Sequence, residues 1–128
     1  MAKGQYFSFD DCAFQRVVAH EGVGLIATQR VLDGPPATAC DFVDLTVVPS
    51  GSTIGLHTHG LGDEEFYVVI SGTGEMYLDG RAFLVGPGDV IRNRPGGTHG
   101  LRNTGPEDLR LVVIQVPTRE AVVAHGVR

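Results

Sequence analysis

At 128 residues the chain has the length of one domain, with enough material to bury a core without disulfide or metal staples. Apolar residues make up 42% and charged residues 20%, the balance of an ordinary globule, and no repeat, low-complexity tract or membrane-length apolar run interrupts it. The formal net charge of −5 argues against nucleic acid or an anionic membrane as a partner.

The amino terminus, MAKGQYFSFDD, is polar and lacks the apolar run of a signal peptide, so a cytoplasmic protein is expected. The 18 glycines and 7 prolines are scattered, which predicts many tight turns and an all-β chain rather than helices. Tyr6, Phe7 and Phe9, with Ser8 and Asp11 spaced like a weak capping box, read as a short strand or one helical turn. Arg16 to Ala19 and Val23 to Leu32 read as two strands joined by a turn at His20-Glu21-Gly22, which makes His20 a solvated turn residue rather than a ligand. Cys12 and Cys40 lie far apart and form no C-x-x-C pair, so two reduced, half-buried thiols are expected. Asp33-Gly34-Pro35-Pro36 breaks the chain in a loop, and Asp41 to Val48 returns as a strand ended by Pro49-Ser50-Gly51.

The stretch from Gly51 to Gly72 carries the chemistry. His57 and His59 stand two residues apart, and in a strand such side chains leave the same face, so their imidazoles can converge on one point. The same alternation gives Thr53 and Gly55 the face of His57. Glu64 and Glu65 follow, either of which can add a carboxylate. Beyond them Glu65, Tyr67, Val69 and Ser71 share one strand face. Tyr67 is either a pocket residue that hydrogen-bonds a substrate or a metal-bound water, or a core aromatic with its hydroxyl at an edge. Tyr67 and whichever of Glu64 and Glu65 is not a ligand are the candidate catalytic side chains.

Glu75 to Leu78, Asp79-Gly80 and Ala82 to Val85 form the plainest hairpin, since Asp-Gly between apolar runs is a type I′ signal. After the Gly86-Pro87-Gly88-Asp89 turn, Val90-Ile91 start a strand that becomes polar at Arg92-Asn93-Arg94. Alternation turns inward either Asn93 or both arginines. Inward arginines would favour a carboxylate or phosphate substrate, whereas outward ones form a solvated face, the commoner arrangement. His99, in RPGGTHGLRN, supplies a third imidazole; Leu101 and Asn103 share its side, and Asn103 is expected to stabilise the turn through Pro106 with its own side chain. In the last strong strand, Leu109 to Val116, residues Leu109, Leu111, Val113 and Gln115 face inward, with Gln115 at the pocket mouth and Arg110 toward solvent or a partner subunit. Arg119 to Ala124 reads as a helical turn ending near Gly126, and His125 in that tail is not a ligand.

Three imidazoles, His57, His59 and His99, with one carboxylate suit one divalent Mn, Fe, Co, Ni or Zn ion, with one or two positions left for water or substrate. In this arrangement the chain resembles a small single-domain cupin. Gly51, His57, His59, Glu65 and Gly72 fill the family's first motif, and Gly86-Pro87-Gly88-Asp89, Pro95-Gly96-Gly97, His99 and Asn103 resemble its second. The gap from His59 to Glu65 is one residue longer than is common, the spacing to Gly72 favours Glu65 over Glu64 as ligand, and Arg94 stands where many relatives carry Pro. The resemblance spans residues 43–116, with 1–42 as further strands of the same domain and 117–128 as a tail. It implies a double-stranded β-helix, or jelly-roll barrel, with the metal between its sheets, and a homodimer formed through the amino-terminal strands, where Tyr6, Phe7 and Phe9 suit that role. It also implies a small-molecule substrate, with oxygenase or lyase/isomerase chemistry, or plain metal-anchored binding.

Overall fold

The computed structural model describes residues 3–125. Its elements, in chain order, are β1 (Gln15–Val17), β2 (Ile26–Leu32), β3 (Phe42–Val48), β4 (Thr53–Thr58), β5 (Asp63–Ser71), β6 (Gly74–Leu78), β7 (Arg81–Val85), β8 (Val90–Asn93), β9 (Thr98–Arg102), β10 (Leu109–Pro117) and a short helix α1 (Arg119–His125). The strands form a six-stranded sheet, β1-β2-β3-β10-β5-β8, and a four-stranded sheet, β4-β9-β6-β7. From β3 onward the chain passes back and forth between the two sheets, interrupted only by the β6–β7 hairpin, which is the winding of a double-stranded β-helix. Within the ladders the pairings are antiparallel, so each strand presents one face to the space between the sheets.

The period-two pattern of the sequence dictates which face that is. In β5 the buried residues are Glu65, Tyr67 and Val69; in β10 they are Leu109, Leu111 and Val113; in β8 they are Ile91 and Asn93. Met76 and Leu101 from the smaller sheet meet them, closing one core cluster. Arg110 lies outside, as its place in the alternation requires, and Gln115 sits half-buried at the end of the inner row with its amide toward Asp41 at 3.3 Å.

Local chemistry sets the turns. Asp79 and Gly80 both adopt positive φ, 49° and 87°, which a two-residue type I′ hairpin between β6 and β7 demands. Asn103 follows β9 and is 1% exposed; its Nδ2 donates to the carbonyls of Val48 (2.8 Å) and Glu107 (2.7 Å), and its Oδ1 accepts from Gly105 N (2.9 Å). The side chain therefore builds the turn before β10, as its sequence context predicts.

Near the amino terminus the expected strand or helical turn proves to be a single hydrogen-bonded turn. Ser8 O accepts from Asp11 N and Ser8 Oγ from Asp10 N, both at 3.2 Å, which captures the backbone before either regular pattern starts. Tyr6 and Phe7 are exposed there. At the other end Thr118 Oγ1 caps α1 by accepting from Ala121 N at 3.1 Å. Gly126 and the side chain of His125 lie outside the described residues. Cys12 and Cys40 are free and half-buried, and among the described residues no helix is long and apolar enough to cross a membrane.

Candidate metal centre

The inner face carries one polar cluster, and both sheets contribute to it. His57 on β4 is paired directly with His99 on β9 in the smaller sheet, and Glu65 on β5 faces them from the larger. His59 follows the end of β4; its backbone N donates to Gly97 O at 3.1 Å, which prolongs the β4–β9 pairing far enough to aim the ring inward. One donor atom from each of His57, His59, Glu65 and His99 lies within 4.8 Å of all the others.

A bulge, rather than simple alternation, gives this convergence. The β4–β9 register shifts between Ile54 and His57, so Ile54 is buried on the inner face and His57 also points inward. The expected sharing of His57's face by Thr53 and Gly55 is thereby corrected: the extra residue reverses the phase of β4. Gly55 instead meets the backbone of the 19–22 turn, donating its N–H to Ala19 O at 3.0 Å, and a Cβ there would fall on the His20 carbonyl. Thr53 Oγ1 accepts from Val23 N at 2.7 Å, fastening the same turn.

That turn also carries His20, expected from sequence to be a solvated residue. His20 is exposed and has φ 50°, as a turn residue does, yet its ring stacks on His57 with centroids 3.5 Å apart and planes 6° from parallel. It stands at the mouth of the cluster rather than in open solvent. The signal was Gly22 and Gly55, where two backbones approach too closely for a side chain, but the pairing of segments more than 30 residues apart cannot be read locally.

The polar contacts fit a metal. His57 Nδ1 is 2.7 Å from Gly55 O and His59 Nδ1 is 3.1 Å from Asp63 Oδ1, which places the proton on Nδ1 of each ring and leaves Nε2 to ligate. Glu65 Oε1 lies 3.1 Å from His99 Nε2 and 3.5 Å from His59 Nε2. Among the described residues, the buried side-chain atoms without a hydrogen-bond partner are His59 Nε2 and both polar atoms of Asn93. A cation between the rings would satisfy the first of these.

Burial lowers the pKa of His57 to about 4, outweighing the Gly55 hydrogen bond that raises it, and the neighbouring imidazoles push in the same direction as burial. The ring is thus neutral and ready to ligate at pH 7. Between pH 6.5 and about 4 the unfolded chain binds a proton there that the folded chain does not, so this group's effect is to lower stability as pH falls through that window. Chelator-treated protein is expected to show a falling denaturant midpoint between pH 7 and pH 4, with a shallower slope in His57→Asn.

Tyr67 is fully buried, its ring edge-on to His99 at 5.4 Å. Burial, the charge of Glu65 and a hydrogen bond to that carboxylate hold its pKa well above 10. The phenol therefore stays protonated and donates to Glu65, orienting the carboxylate.

Glu64 takes the opposite face of β5. Its Oε2 accepts from Arg92 Nη2 at 2.7 Å and Nε at 3.1 Å on the outer surface. The expectation of Glu64 as an alternative ligand or a catalytic carboxylate is corrected by the strand's period of two, which cannot turn neighbours Glu64 and Glu65 the same way. The same logic decides the 92–94 segment: Asn93 is buried, while Arg92 and Arg94 are exposed. Because exposed ion pairs contribute little, Glu64→Gln is expected to keep full metal content and change stability by less than about 1 kcal/mol, read by elemental analysis and urea titration.

The cupin-domain sequence model matches residues 44–115. The chain belongs to the cupin family. An oxalate-binding protein of Thermotoga maritima is 34% identical to this cupin over 67 residues, 52% of this chain and 54% of that protein. An uncharacterized protein of Methanocaldococcus jannaschii is 37% identical over 71 residues, 56% of each. These alignments span about half the length of the curated relatives. Among solved structures, one described as a predicted oxalate decarboxylase from Thermotoga maritima superposes with a TM-score of 0.83 at 23% identity, covering 89% of this chain and all of that one. A Cupin 2 conserved barrel domain protein from Salinispora arenicola gives 0.71 at 19% identity, covering 97% and 96%. Both likenesses are of fold.

Proposed function

We propose that this cupin holds one divalent transition metal on His57, His59, Glu65 and His99 and acts on a small carboxylic acid with neighbouring oxygens, of which oxalate is the simplest. The observation that carries the reading is the convergence of three imidazoles and one carboxylate inside the barrel, with a buried His59 Nε2 left without a partner. When bound, the ion would supply Lewis acidity, or oxygen activation if it is redox-active. The protein's own residues do the rest. Gly55 and Asp63 fix the tautomers of His57 and His59, and Tyr67 orients Glu65. The barrel wall, with Val69, Met76 and Leu101 packed behind the cluster, excludes bulk water from that side.

The relatives' names favour oxalate as the first molecule to test, and lyase or oxygenase chemistry as the reaction class. A second reading, a metal-anchored binding protein, draws support from the scarcity of proton-transfer groups. The buried titratable residues among those described are Glu65, His99 and Tyr67, two proposed ligands and a phenol held protonated. Calorimetry with oxalate on manganese- and iron-loaded protein, alongside detection of formate, carbon dioxide and oxygen uptake, separates the two. Binding with turnover supports an enzyme, binding alone supports a carrier, and no binding of oxalate to any loaded form contradicts both. The exposed Tyr6 and Phe7 support a homodimer contact in the amino-terminal segment, which light scattering of Tyr6→Ser/Phe7→Ser against the parent chain tests.

A further inference from the structure

Asn93 ends β8, the edge strand of the larger sheet, and is 1% exposed. Its Cα partner across the β5–β8 ladder is Glu65, and two residues back Ile91 is paired with Tyr67. Directly opposed residues of an antiparallel pair project to the same face, so the Asn93 amide lies beside the Glu65 carboxylate inside the barrel. On the other side of Glu65 the same row continues to Gln115 on β10. Gln115 spends its amide on Asp41, whereas neither Nδ2 nor Oδ1 of Asn93 has a hydrogen-bond partner among the described residues.

Such an arrangement is costly unless something completes it, because a buried amide loses its water and gains nothing in return. The contrast with Asn103 is direct. That residue is of the same type and equally buried, and it makes three hydrogen bonds to backbone groups. A buried donor and acceptor left open beside a ligand carboxylate are placed for a molecule that enters the barrel.

We propose that Asn93 is a specificity-determining residue that recognises the small acid at the metal centre, an inference that rests on the function proposed above. Nδ2 donates to a carboxylate oxygen of the bound acid, and Oδ1 accepts from a hydroxyl, a protonated carboxyl or a metal-bound water. The geometry selects acids short enough to reach Asn93 and the metal together. It also makes the amide, rather than the outward Arg92 and Arg94, the group that reads the acid.

The test compares the full chain with Asn93→Leu, near in volume but apolar, and Asn93→Asp, which presents a like charge to the acid. Each is loaded with Mn²⁺, assayed for metal content and apo melting temperature, and titrated with oxalate by calorimetry. Metal content is expected to stay the same in Asn93→Leu, its apo melting temperature to hold or rise, and its affinity for oxalate to fall about 10- to 100-fold, with a larger loss in Asn93→Asp. Should Asn93→Leu not fold, Asn93→Asp, which keeps the size and polarity, carries the comparison alone. Unchanged oxalate affinity in folded, metal-loaded variants overturns the assignment and leaves the proposed function standing. Failure of the parent chain itself to bind oxalate overturns both. A lowered melting temperature with unchanged affinity identifies Asn93 as a merely structural, water-bonded amide and overturns the assignment too.

Discussion

Replacing His99 with alanine is expected to reduce metal affinity by more than about 100-fold, beyond the loss that follows removal of a residue that only orients a ligand. His99 is 1% exposed, lies opposite His57 on the neighbouring strand, and brings Nε2 to 3.1 Å from Glu65. Without it the set has two imidazoles and one carboxylate, all of them on β4, the turn that follows it, or β5. Because alanine also leaves a cavity beside Tyr67, His99→Phe serves as a filled control: it should lose metal equally while unfolding at a higher denaturant concentration than His99→Ala. Competition with a chromogenic chelator reads the affinity directly. Retention of parental affinity in both variants would remove His99 from the centre.

Asn103→Ala is expected to lose about 3 kcal/mol of stability and to lower the melting temperature by roughly 10 °C. The carbonyls of Val48 and Glu107 and the amide of Gly105 each lose their partner; the bond to Val48 is buried and the other two are part-buried, and an unsatisfied buried group costs about 1–3 kcal/mol. The turn it builds sets where β10 begins, and β10 is paired with both β3 and β5. Asn103→Asp keeps the acceptor for Gly105 N but loses both donors, so it should fall between the parent and alanine or below both if the carboxylate stays charged. Equilibrium unfolding in urea settles the order, and a change under about 0.5 kcal/mol for alanine would contradict the role given to this side chain.

Much of this was legible in the sequence because it is local. The Asp79-Gly80 hairpin, the inward row of β10 and the role of Asn103 each depend on a few adjacent residues and on side-chain chemistry that acts over one turn. The cluster of His57, His59, Glu65 and His99 was legible because these residues stand in two motifs that resemble those of the cupin family. What escaped depends on a partner strand. The bulge between Ile54 and His57 exists only in the register with β9, so strict alternation placed Thr53 and Gly55 wrongly. His20 reaches His57 because the 19–22 turn packs on β4 through Gly22 and Gly55, a long-range contact that a turn signal does not announce. For Arg92, Asn93 and Arg94 the alternation leaves two phases, the commoner with the arginines outward, and the pairing of Asn93 with Glu65 selects that one.

A metal ion in the four-residue centre is what every role proposed for these side chains requires. Elemental analysis of the purified chain, repeated after chelator treatment and incubation with Mn²⁺, Fe²⁺, Co²⁺, Ni²⁺ or Zn²⁺ in turn, measures this most directly. About one ion per chain, retained through gel filtration, is the predicted result for at least one of these metals. Less than about 0.1 ion per chain with every one of them, in a folded protein, would contradict it.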